Sequence, residues 1–344
     1  MKRYVNRFLA LTFIVLASCG GPDALVINSL NQDGSVDRKI ILTWDKNEFD
    51  LAECQVPVDS TWSINTDMEV SEKGDTTWTL TAEKHFDSVD LINSDYESFG
   101  GPNEQMSRNV VFIKRFRWFN TTYYLEEKVD RAIDGYPVAD FFTPDEIKLF
   151  HMPGSMTDAL LSGPDSTAIK AALDTIEEKK DRWLFASLFK ATCSQIEYLN
   201  DTMPGQKVDL EFLKSREGYF LDVVGEFEGD EVKLVDTIYG KGFYESHREI
   251  LDSSLSVIED KFQVAFDADG YQVQSIMPGK LVATNGYIDN DSNILWKVEG
   301  DSFVSEDHIM WAESTVINRW AWIVTGLFLI FVLSGFVIRR VRRS

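Results

Sequence analysis

The chain has 344 residues, 56 acidic against 34 basic, for a formal charge of −22. A surface this acidic repels phosphodiester backbones and excludes nucleic acid as a partner. The four histidines (His85, His151, His247 and His308) lie far apart with no HxxxH or HExxH spacing, so the sequence predicts no metal site and no cofactor.

The chain opens on a targeting pattern. Lys2, Arg3 and Arg7 precede an apolar run from Phe8 to Ala17, too short to span a bilayer and patterned as a secretory signal. Leu16-Ala17-Ser18-Cys19 closes it and resembles the bacterial lipobox. Residues 1–18 are therefore read as a lipoprotein signal peptide, with Cys19 the lipidated residue. Export places the body, residues 19–319, in a disulfide-permissive space, where Cys54 and Cys193 are a candidate pair.

The body begins with strands. Ala24–Leu30, Lys39–Trp44, Thr61–Asn65 and Thr76–Phe86 alternate apolar with polar side chains and are rich in β-branched and aromatic residues. A polar stretch, Asp87–Ser107, follows. Val110–Val129 reads as a hairpin turning at Asn120-Thr121-Thr122. Phe112, Phe116, Trp118, Tyr123 and Tyr124 crowd it and form the candidate surface for a lipid or a partner protein.

A helical insertion is expected over roughly 143–260. Thr143-Pro144-Asp145-Glu146 has the pattern of a capping box with proline at the first helical position. His151–Pro164 reads as loose. Ser166–Asn200 carries helical spacing, with a break expected at the polar run Glu177–Arg182. Asp209–Val224 and Phe243–Asp260 continue the block. Phe262, Val264 and Phe266 then alternate as a strand, and Asp269-Gly270 reads as a turn. Tyr271–Ser275, Ile294–Val298 and His308–Trp311 are strands, with Asn285-Gly286 a hairpin turn between them. Asp289–Asn293 lacks the glycine and glutamate of a calcium loop and reads as a polar turn. There is no GxSxG elbow and no P-loop. The expected class is α+β, a mainly antiparallel sheet of N- and C-terminal strands with an inserted helical block. Short links at each end place both ends of the β region at one membrane surface.

Trp320–Ile338 is an uncharged run of membrane-spanning length, and this transmembrane segment (320–338) is followed by a basic tail (339–344). Trp320 and Trp322 favour one headgroup level, and Arg339, Arg340, Arg342 and Arg343 hold the other end in the cytoplasm. The expected location is a bacterial inner (cytoplasmic) membrane with the bulk of the chain outside.

The stretch Met277-Pro278-Gly279-Lys280-Leu281-Val282-Ala283-Thr284-Asn285-Gly286, with Trp296-Lys297-Val298, resembles the "PGK–TNG–W" segment of LppM-type lipoproteins. Those proteins also pair a lipobox with a C-terminal membrane helix. The resemblance implies an α/β domain linked to lipid binding in the envelope, and no binding residue is carried over from it. The expected function is a membrane-anchored, non-enzymatic binding module for lipid or an envelope protein. A hydrolase without a recognisable motif and a structural scaffold are the alternatives.

Overall fold

Period-two burial builds two sheets around one core. The computed structural model describes residues 23–46, 49, 51, 54, 56–71, 74–98, 107–204, 207–227, 230–266 and 270–342. The signal segment, Cys19, Asp269 and Arg343 lie outside them. The first sheet contains β1 (Asp23–Leu30), β2 (Val36–Trp44), β3 (Ser63–Val70), β4 (Thr76–Phe86), β7 (Tyr271–Ile276), β9 (Tyr287–Ile288) and β10 (Ile294–Val298). Their order is β3-β4-β2-β1-β7-β10-β9. The second sheet contains β5 (Arg108–Phe116), β6 (Asn120–Val129), β8 (Lys280–Thr284) and β11 (His308–Ile317), in the order β5-β6-β11-β8. Early and late strands do pair, as expected, but they form two sheets. The first is mixed because β1 and β7 run parallel, Ala24 opposite Tyr271.

The registers fix where the ends lie. β7 runs with β1 and reaches β8 through Met277–Gly279, and Lys280 of β8 pairs with Thr315 near the end of β11. Across the sheets, Lys114 Nζ donates to the Gln32 carbonyl at 2.6 Å and Arg38 meets Glu127 at 3.2 Å, so the strands are aligned. Asp23 therefore sits at the end of the sheets opposite Ile317. The ten residues of β6 span about 30 Å. Cys19 precedes Asp23 by four residues, a reach of at most ~14 Å. The expectation that both ends of the β region share one surface is corrected.

A ten-residue helix, α1 (Val89–Ser98), occupies the polar stretch. It buries Val89 and Ile92 and leaves most of its other side chains facing water, so its sequence reads as loop. Asn93 holds it to β5 through two bonds with the Val110 backbone, at 2.7 and 2.9 Å. The β5–β6 hairpin turns three residues earlier than expected, at Arg117–Phe119, closed by Arg117 N–H donating to the Asn120 carbonyl at 2.8 Å.

The block contains α2 (Pro144–Phe150), α3 (Gly154–Leu161), α4 (Ser166–Thr202), α5 (Leu210–Lys214), α6 (Glu217–Val223), α7 (Glu231–Tyr239), α8 (Phe243–Ser246) and α9 (Arg248–Phe266), and a short α10 (Gly300–Phe303) follows β10. The capping box forms as expected: Thr143 Oγ1 accepts from Glu146 N–H, and Glu146 accepts from Thr143 N–H at 2.7 Å. α3 fills the stretch read as loose. α4 runs unbroken for 37 residues. Its polar run is polar because it crosses between partners, with Lys179 on Glu146 at 2.6 Å and Lys180 on Asp301 at 2.9 Å. Residues 262–266 are helical: Phe262 and Ala265 bury three apart. Asn285-Gly286 is not a hairpin turn, since β8 before it and β9 after it belong to different sheets.

α4 joins two apolar cores. Trp183 and Leu184 pack with the sheets, whereas Phe189, Cys193 and Ile196 pack inside the helical block. Cys54 lies against the first core and Cys193 within the second, and no disulfide joins them.

Candidate functional site

Two features stand out, at opposite ends of the molecule. The first is where the body meets the last helix, α11 (Arg319–Val341), which is long and apolar enough to cross a bilayer. One residue, Asn318, separates it from β11. Asn318 is locked to the tip of the β5–β6 hairpin: its N–H donates to the Phe119 carbonyl at 3.0 Å and its side-chain amide to the Arg117 carbonyl at 2.7 Å. Its Oδ1 accepts from the Thr121 hydroxyl at 3.1 Å. Trp118 Nε1 donates to Thr325 Oγ1 at 2.8 Å, which ties the tip to the second turn of the helix. Aromatic rings close the junction. Phe116 stacks on Trp320 at 6.3 Å, Trp118 meets the same ring edge-on at 5.2 Å, and Phe119 lies 4.4 Å from Trp322.

The aromatic residues singled out in the sequence do not line one groove. Phe116 and Trp118 reach the helix junction and stay exposed. Phe112 and Tyr123 stack on each other at 6.3 Å, and Phe112 also packs against the β1–β2 turn at Gly34. Tyr124 stacks on Trp311 at 6.1 Å, its hydroxyl bonded to Glu126. Strand alternation separates neighbours that sequence crowding suggests are together. Phe119 belongs with Phe116 and Trp118. Its position in the same aromatic run was the available signal.

The second feature lies in the helical block, between α4, α5, α6, α7 and α9. An apolar cavity of about 80 Å³ opens there, lined by Phe189, Ile196, Leu213, Phe220, Leu234 and Leu251 among others. Glu231 is its one carboxylate-bearing lining residue. A water needs roughly 10–15 Å³ on this kind of measure, so the space is several times larger than one water. Well-packed cores carry few voids of this size. Cys193 lines the cavity, and burial pushes its thiol up to about 11, so it is a neutral apolar wall and not a nucleophile. Sequence periodicity marks these residues as core but gives no sign that their packing leaves a gap.

Polar clusters elsewhere among the described residues are paired or buried. His85 Nδ1 lies 2.6 Å from Asp37 and Nε2 lies 3.6 Å from Asp87, so carboxylates face both ring nitrogens. Between the sheets, buried Arg38 bonds Asn28 and Glu127, and Glu127 accepts from Tyr96 at 2.7 Å. At the base of the helical block, the His151 and His308 rings lie 5.8 Å apart, and both are neutral because burial lowers them to about 4 and about 3. Asp301 is nearby, paired with Lys180. Among the described residues no cluster of histidine, cysteine and carboxylate side chains is arranged to hold a metal ion.

Comparison with known proteins found no matching family model, no similar curated protein and no similar solved structure.

Proposed function

We propose that this chain is a membrane-anchored envelope protein whose extracytoplasmic body binds the acyl chain of a lipid in the cavity of its helical block. In this reading α11 spans a bacterial cytoplasmic membrane, the arginine tail lies in the cytoplasm, and the body stands outside. The single observation that carries it is the cavity: a half-open space between five helices whose wall is apolar and carries one carboxylate, a composition that suits the end of a hydrocarbon chain. The likeness to LppM-type lipoproteins points the same way. Acylation of Cys19 belongs to this reading as a modification, while the helix is the anchor. The module is non-enzymatic.

Native mass spectrometry of the full chain released from detergent tests this. A lipid or fatty acid retained at one per chain is expected, with several-fold less in Val235→Trp, which fills the cavity. Purified chain that carries no lipid and takes up no fluorescent fatty acid overturns the reading.

A further inference from the structure

The chain is acidic almost everywhere, but the edge of the second sheet beside α11 is not. From Ile113 to Leu125, from Ile276 to Ile288 and from Ser314 to Arg342 there is no aspartate or glutamate. The strand registers bring these three segments together. Arg115 pairs with Thr122, Thr122 with Thr315, and Thr315 with Lys280, in one row across the second sheet. Beyond that row lie Arg117 on the hairpin tip and Arg319 on the first turn of α11. Arg115, Arg117, Lys280 and Arg319 are all exposed. Lys114 is not counted with them, because it is committed to the Gln32 carbonyl beside Asp33.

This cationic row adjoins the exposed rings of Phe116, Trp118 and Phe119, at the level of Trp320 and Trp322. Indole and phenyl rings at one depth with guanidinium groups beside them match the headgroup layer of a bilayer, where rings settle at the interface and basic side chains are drawn to anionic phosphate. The rest of the body repels anionic lipid, so attraction is confined to this one edge. We propose that the β5–β6 hairpin tip is a headgroup-binding foot that recruits anionic phospholipid of the extracytoplasmic leaflet through Arg115 and Arg117. The proposal rests on α11 spanning the membrane but not on the cavity or its ligand. With Phe119 and Trp322 in contact and one residue between strand and helix, the foot meets the leaflet in a single orientation.

The test uses the full chain in nanodiscs of equimolar phosphatidylcholine and phosphatidylglycerol, with co-ejected lipids counted by native mass spectrometry. Wild type is expected to retain more phosphatidylglycerol than R115Q/R117Q by about five-fold per arginine, the Boltzmann equivalent of a surface basic residue. R115K/R117K should keep most of the preference, which a merely structural role would not require. The tail arginines are the same in every variant, so the difference reports on the hairpin. Hydrogen exchange along Arg319–Val341 separates the two ideas. A protected helix with equal lipid retention in wild type and R115Q/R117Q overturns the foot alone, and an unprotected helix overturns the membrane span and the foot together.

Discussion

His151 and His308 show how a fold can carry its own acid sensitivity. His151 caps the end of α2 and His308 begins β11, so the pair sits where the helical block meets the sheets. His151 Nδ1, His308 Nε2 and Asp301 Oδ1 are buried with no hydrogen-bond partner among the described residues. Lys297 lowers both imidazoles further, and Asp301, paired with Lys180, is the carboxylate that opposes the shift. Both imidazoles titrate lower in the fold than when exposed, so the unfolded chain binds protons first as pH falls. Their contribution is complete above about pH 6.5 and is lost progressively between there and about 4 and 3. Urea unfolding at pH 7 and pH 5 should show a loss on the order of 2 kcal/mol per imidazole. The double variant His151→Gln/His308→Gln should lose less over the same interval. Equal losses in the two proteins would remove the histidines from the account.

At the scale of elements, the join between β11 and α11 is the most constrained point. Asn318 makes four bonds to the hairpin backbone and Thr121, and Trp118 adds one to Thr325. Inserting Gly-Gly between Asn318 and Arg319 shifts the helix out of register with its aromatic partners. The hairpin tip should then exchange amide hydrogens faster at Phe116–Thr121, by the equivalent of about 2 kcal/mol, the sum of one hydrogen bond and one or two ring contacts. Leu125–Val129, held by β5 and β11, should be unaffected. Much of this architecture was legible from sequence. β4 and β10 fall where alternation put them, the capping box opens α2 at Pro144, and α11 follows from uncharged length. Elements that alternate or repeat against one partner announce themselves. α1 and α3 did not, because α1 buries little and α3 buries no residue completely. The polar run in α4 looked like a break because its lysines answer Glu146 and Asp301, which are remote in sequence. The half of the aromatic site next to α11 was legible as a cluster, but only the registers assign each ring to its face. The cavity was not legible at all, since it depends on how five helices fail to fill a volume.

For the molecule as a whole, charge opposes compactness. Fifty-six acidic residues share a body whose buried ion pairs, among the described residues, are few, and much of that charge faces water. Raising ionic strength from about 10 mM to about 150 mM shortens the screening length from ~30 to ~8 Å. The thermal midpoint of the body should rise over this range. A fall would mean that surface ion pairs, and not self-repulsion, dominate.

The pairing of β1 with β7 also sets an order of events. Val26 and Asn28 must wait for Val273 and Ser275, and β6 must wait for β11, so neither sheet can close until the far side of the helical block has been made. A ribosome paused anywhere between residues 130 and 270 therefore holds a nascent chain with two unpaired strand margins, the configuration most prone to intermolecular stacking. The helical block, whose second core closes on itself, can form in that interval, so the late strands return to a preformed unit.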